Sequence, residues 1–94
     1  MNEDEKIYEA IMRHMKAMVY IKLKDIKMGL MGKDLTEYGK ECLAELEAGL
    51  AAIEEAEPDV EKLNRMNLFL KEMAIKVREE GTDAVYRETK EDTV

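Results

Sequence analysis

The chain has 94 residues, 39% of them charged and 46% apolar, with a formal net charge of −7. That length makes one domain with a thin core, the apolar share excludes disorder by composition, and the acidic balance disfavours nucleic acid as a general partner. Cys42 is the one cysteine, so no internal disulfide forms. With the acidic start Met1-Asn2-Glu3-Asp4-Glu5 in place of a secretory leader, this suggests a cytoplasmic protein. No apolar run approaches the roughly 18 residues of a membrane span, so no membrane is expected.

The charge is unevenly placed. Residues 1–33 carry seven Lys or Arg against five Asp or Glu, a balance of +2, and residues 34–94 carry −9. Ser, Gln and Trp are absent, while Glu, Lys, Leu, Ala and Met are abundant. That balance favours helix over strand.

The first expected helix starts near Asp4, capped by Asp4 or Asn2, and runs to Met28 or Met31, where Gly29 and Gly32 mark its stop. Tyr8, Met12, Met15, Val19, Leu23, Ile26 and Leu30 recur at helical spacing along one face. Ile7, Ile11, Met18, Ile21 and Met28 form a second apolar stripe, which also contains His14 and Asp25. A third line is polar: Lys6, Glu9, Arg13, Lys16, Tyr20, Lys24 and Lys27. So much apolar surface on one helix calls for more than one covering neighbour.

Asp34 followed by Glu37 has the spacing of a capping box and is expected to open a second helix. Its heptad seam is Leu35, Gly39, Cys42, Leu46, Gly49, Ile53 and Ala56, with glycines where a neighbouring helix approaches closely. Glu41, Glu45, Glu47, Glu54 and Glu55 line its outer face. After the break at Glu57-Pro58-Asp59 a third helix runs to about Glu80, with either Pro58 in its first turn or Asp59 as its cap. Its seam is Leu63, Met66, Leu70, Met73 and Val77, with Leu68, Phe69 and Ile75 off the seam. Gly81 is its stop. Residues 1–81 thus read as a helical domain, and residues 82–94 as a polar tail or a short fourth helix capped by Thr82.

The expected fold is all-α: an antiparallel three-helix bundle with a short C-terminal helix or tail, completed by oligomerisation. Its expected function is that of a non-enzymatic protein–protein interaction module, an adaptor, regulator or inhibitor that works as a homo-oligomer. Candidate interface residues are Ile7, Ile11, Met12, Met15, Met18, Ile21, Met66, Phe69 and Met73. Met suits surfaces that exchange partners, and the acidic outer faces of the second and third helices suit a basic protein partner.

Two other readings belong to different classes. Arg13, Lys16, Tyr20, Lys24 and Lys27 put four cations and a stacking ring on one face, the kind of surface that binds nucleic acid or nucleotides. The other reading is a small all-helical enzyme. Glu54-Glu55 and Glu80-Gly81-Thr82-Asp83 resemble part of the magnesium-binding pattern of all-helical nucleotide pyrophosphohydrolases. A three-helix chain with a long first helix also resembles the helical chorismate mutases in architecture. That resemblance implies a cationic site in which Arg13 is joined by Lys22, Lys24 or Lys33, and the chain has no Gln to complete it. No metal or cofactor is expected, because no Glu-x-x-His pair occurs and His14 and Cys42 fall on different helices.

Overall fold

The computed structural model of the chain describes residues 2–55 and 59–87. It is mostly helical, with three helices and a small two-stranded sheet: α1 (Glu3–Leu30), β1 (Asp34–Leu35), α2 (Glu37–Glu55), α3 (Val60–Glu80), a single 3-10 turn (Thr82–Ala84) and β2 (Tyr86–Arg87). The expectations about Ala56, Glu57 and Pro58 lie outside the described residues, as does the tail from residue 88 onward. Among the described residues no helix is long and apolar enough to cross a membrane.

α1 begins where Asn2 Oδ1 accepts the Glu5 backbone N–H at 2.8 Å, and Glu3, Asp4 and Glu5 sit at the positive end of its dipole. The helix continues through Gly29 to Leu30, and Gly32, at φ 78°, makes the turn that follows. Gly29 therefore lies within the last turn of the helix and does not end it. A Cβ built there would meet nothing within 4 Å, so nothing in its own fold demands the missing side chain.

α2 starts two residues later than its expected capping box predicts. Asp34 is paired with Arg87 in the β1–β2 ladder, so it cannot serve as the cap. Thr36 does so instead: its Oγ1 accepts the Gly39 N–H at 3.0 Å. Asp59 caps α3 by accepting the Lys62 N–H at 2.8 Å. Leu35, expected on the α2 seam, lies in β1.

The helices run up, down and up. Tyr20 meets Glu54, Leu23 meets Gly49 and Lys27 meets Glu47, so α2 is antiparallel to α1. Met66 lies against Gly49 and Lys76 over Tyr38, so α3 reverses again. Between them lies one core of Val19, Leu23 and Leu30 from α1, Cys42, Leu46, Leu50 and Ile53 from α2, Leu63, Leu70 and Met73 from α3, and Val85.

Val85 shows why residues 82–87 do not form the fourth α-helix expected after Gly81. It is 2% exposed, and the chain on either side is tied to the entry of α2. Thr36 donates through its hydroxyl to the Ala84 carbonyl at 2.7 Å and the Val85 carbonyl at 3.1 Å, and its N–H donates to the Val85 carbonyl at 2.9 Å. Tyr86 and Arg87 then pair antiparallel with Leu35 and Asp34. The extended backbone that this pairing needs leaves room for one 3-10 turn only. Gly39 was expected to admit a helix. What it admits is this strand connection, because a Cβ there would collide with the Val85 carbonyl.

The molecule is long for its size. Its radius of gyration is 16.4 Å, and its extents are 65 × 25 × 19 Å. A compact globule of this length would have a radius near 12 Å. The excess lies partly in α1, whose residues from Asn2 to Ile11 are all exposed.

Candidate functional site

At about 100° per residue, the two apolar stripes of α1 point roughly 130° apart around the helix. The inner stripe faces α2 and α3, where Val19 and Leu23 are each 1% exposed. Met12, Met15 and Ile26 are half-buried against the same core. The outer stripe stays largely open among the described residues: Ile7 is 57% exposed, Ile11 52%, Met18 43%, Ile21 57% and Met28 63%. His14 and Asp25, within the same stripe, are also exposed. α2 and α3 thus share one side of α1 and leave the other bare.

The expected interface residues therefore separate. Ile7, Ile11, Met18 and Ile21 share the bare stripe, which Met28 extends. Met12 and Met15 lie on the inner side, packed on the core. Met73 is 6% exposed and belongs to the core itself. Met66 and Phe69 are half-buried and line a shallow groove of about 350 Å³ between α2 and α3, floored by Leu23 and Gly49 and rimmed by Glu45, Lys62 and Arg65. Leu68 and Ile75 are exposed on the far side of α3, two turns apart.

The basic line of α1 lies along its edge with α2. There the acidic outer row of α2 meets it, as the split of charge along the sequence allows. Lys27 Nζ is 3.6 Å from Glu47. The Tyr20 hydroxyl donates to Glu54 Oε1 at 3.1 Å, and this bond, followed by the Glu54 charge, raises the Tyr20 pKa above its usual value. Lys24 Nζ stands 5.8 Å from the Tyr20 ring centre. Arg13 and Lys16 border an open groove of about 630 Å³ whose other walls are Ala17, Ile21, Ile53 and the same Glu54. A carboxylate at the centre of the line weakens its attraction for phosphate.

The acidic pairs behind the pyrophosphohydrolase resemblance do not converge. Glu54 ends α2 close to the start of α3, and Glu80 ends α3, a helix of 21 residues and about 30 Å. No group of three or more His, Cys, Asp or Glu side chains that could hold a metal occurs among the described residues. Of the cations in the chorismate-mutase-like reading, Arg13 is at the 630 Å³ groove, and Lys33 stands apart from it, over the Tyr86 ring beyond the other end of α1.

Cys42 is 1% exposed in the core. Burial lifts its pKa, the hydrogen bond with Tyr38 lowers it, and the charges of Glu41 and Glu45 raise it again, a setting that keeps the thiol protonated and unreactive. The sequence gives no sign of the Thr36–Val85 clasp. A Thr two residues after Asp34 was the available signal for the cap, and nothing local marks its partner some 50 residues later.

The chain matches no known protein family, no curated protein and no solved structure.

Proposed function

We propose that this protein is a non-enzymatic interaction module that acts by presenting the outer face of α1 to another helix, as part of a homo-oligomeric helical bundle. The observation that carries this reading is the bare stripe of Ile7, Ile11, Met18, Ile21 and Met28. Contiguous exposed apolar surface of this kind marks an interaction site when polar residues border it. Here Lys22 and Lys24 do so. The heptad spacing of the stripe is that of a helix seam, so its complement is a helix packing alongside it. The acidic face of α2 adds a long-range field that favours a basic protein partner and repels nucleic acid.

The test is sedimentation velocity over a concentration series, comparing the natural chain with an Ile11→Glu, Ile21→Glu double variant. The natural chain should gain mass with concentration. The variant should stay monomeric with an unchanged helical signal, and its melting temperature should equal that of the natural chain at the lowest concentration, because neither side chain belongs to the core. Equal association by both chains would remove the outer face of α1 from the reading.

A further inference from the structure

The bare stripe of α1 is a heptad seam with two polar positions, and these determine how a partner fits. Ile7, Ile11, His14, Met18, Ile21, Asp25 and Met28 follow one another at steps of four and three. In heptad terms Ile11, Met18 and Asp25 take the a positions, and Ile7, His14, Ile21 and Met28 the d positions. Two antiparallel helices form layers of a against d. Few registers of this seam with a second copy of itself satisfy that rule.

One register matches the three layers between Ile11 and Met28 in character and leaves Ile7 beyond the last helical residue of the second copy. It sets Ile11 against Met28, His14 against Asp25 and Met18 against Ile21, each twice by symmetry. Shifting by one heptad in either direction puts Asp25 opposite an isoleucine. The parallel alignment sets Asp25 against Asp25, so that like charges meet across the seam.

The available area is also of the right order. The exposed parts of Ile7, Ile11, Met18, Ile21 and Met28 amount to a few hundred Å², about the largest apolar patch that monomeric proteins leave open. The aliphatic stems of the bordering Lys22 and Lys24 extend it toward the roughly 800 Å² per partner of a stable interface.

We infer that α1 pairs with α1 of a second copy as an antiparallel, two-fold symmetric seam in which His14 of each chain faces Asp25 of the other. This inference rests on the interaction reading above and adds the partner's identity, direction and register. The dimer axis crosses α1 between Val19 and Tyr20. The inner face remains on its own core, so each α1 is covered from both sides once the dimer forms.

Disulfide trapping tests the geometry on the full chain. Ile11→Cys and Met28→Cys variants are oxidised separately and as a mixture. Cys42, being buried, does not compete. The mixture should give a heterodisulfide, and neither variant alone should cross-link efficiently. Residue 11 lies about 25 Å from residue 11 of the second copy in this register, well beyond the roughly 7 Å that a disulfide spans. A charge exchange reads the same pair in solution. His14→Glu should weaken the dimer roughly tenfold, and adding Asp25→Lys should restore it.

Homodisulfides in place of the heterodisulfide would overturn the register while leaving α1 as an association surface. A charge exchange without rescue would overturn the His14–Asp25 pairing. A natural chain that stays monomeric at every concentration would overturn the second copy as partner. If that monomer bound anionic vesicles, the outer face would belong to a lipid surface instead.

Discussion

On α1, Leu23 is 1% exposed and Ile21, two residues earlier, is 57% exposed. Both are large and aliphatic, and both belong to stripes of helical period. They differ in direction: Leu23 points at Gly49 of α2, with its Cδ1 3.1 Å from where a Cβ of that glycine would be, and Ile21 lies at the open rim of the groove beside Ile53. The hydrophobic period of a helix therefore says that a face will be covered. It does not say whether the same chain supplies the cover. On α1 the inner stripe from Met12 to Leu30 is the fold's own, and the outer stripe is exposed.

The largest expected effect comes from breaking this contrast at its two ends. Leu23→Ala removes a fully buried side chain and leaves a cavity beside Gly49, which should cost about 2–5 kcal/mol of unfolding free energy. Ile21→Ala, measured at the lowest workable concentration so that association contributes little, should stay within about 0.5 kcal/mol of the natural chain. Urea denaturation of both variants checks the pair. Comparable losses would mean that the outer stripe is already packed within the lone chain.

A smaller and sharper version of the contrast uses glycines. Gly39 is buried, and a Cβ there would run into the Val85 carbonyl, which is held by the Thr36 N–H. That oxygen cannot retreat without opening the β1–β2 ladder, so Gly39→Ala should destabilise the chain by about 1–3 kcal/mol. Gly29 has open space and ordinary helical backbone, and Gly29→Ala should stabilise the helix by about 0.5–1 kcal/mol. Thermal melting of the two variants should move in opposite directions. Stabilisation by Gly39→Ala would show that the clasp between Thr36 and Val85 yields.

The outcome at these glycines also shows how far the sequence could be read. Helix positions followed from period and capping, because both are local: Asn2 and Asp59 cap where short-range chemistry puts them. The core seam of α3, and that of α2 at Cys42, Leu46 and Ile53, followed for the same reason. What escaped is non-local. Thr36 rather than Asp34 caps α2 because Asp34 pairs with Arg87, far along the chain, and the burial of Val85 has the same origin. The candidate interface was legible in part. Ile7, Ile11, Met18 and Ile21 could be grouped by angle alone, whereas Met12, Met15, Met66, Phe69 and Met73 could be sorted between core and surface only once the helices were placed.

The smallest effect concerns the end of the molecule where α1 plays little part. Tyr38, on α2, has its pKa pushed up to about 12, first by burial, then by its hydrogen bond with Cys42 and the negative charges of Cys42, Glu72 and Glu80. A tyrosine in the unfolded chain ionises near pH 10. The fold therefore favours the neutral ring. Its contribution is fully present below about pH 10 and is lost as the pH rises through the folded value. Cys42, whose pKa is also raised, adds to the loss in the same direction. Denaturation midpoints should fall as the pH is raised above about 10, and Tyr38→Phe should flatten that fall without abolishing it. The phenolate absorbance of the folded chain should also lose its last-titrating component in the variant, since Tyr20, the other raised tyrosine, is held by the Glu54 bond at the far end of α2. An alkaline slope identical in both chains would mean that the Tyr38 ring is open to water in solution. The packing of α2 on α3 there would then be looser than that of α2 on α1.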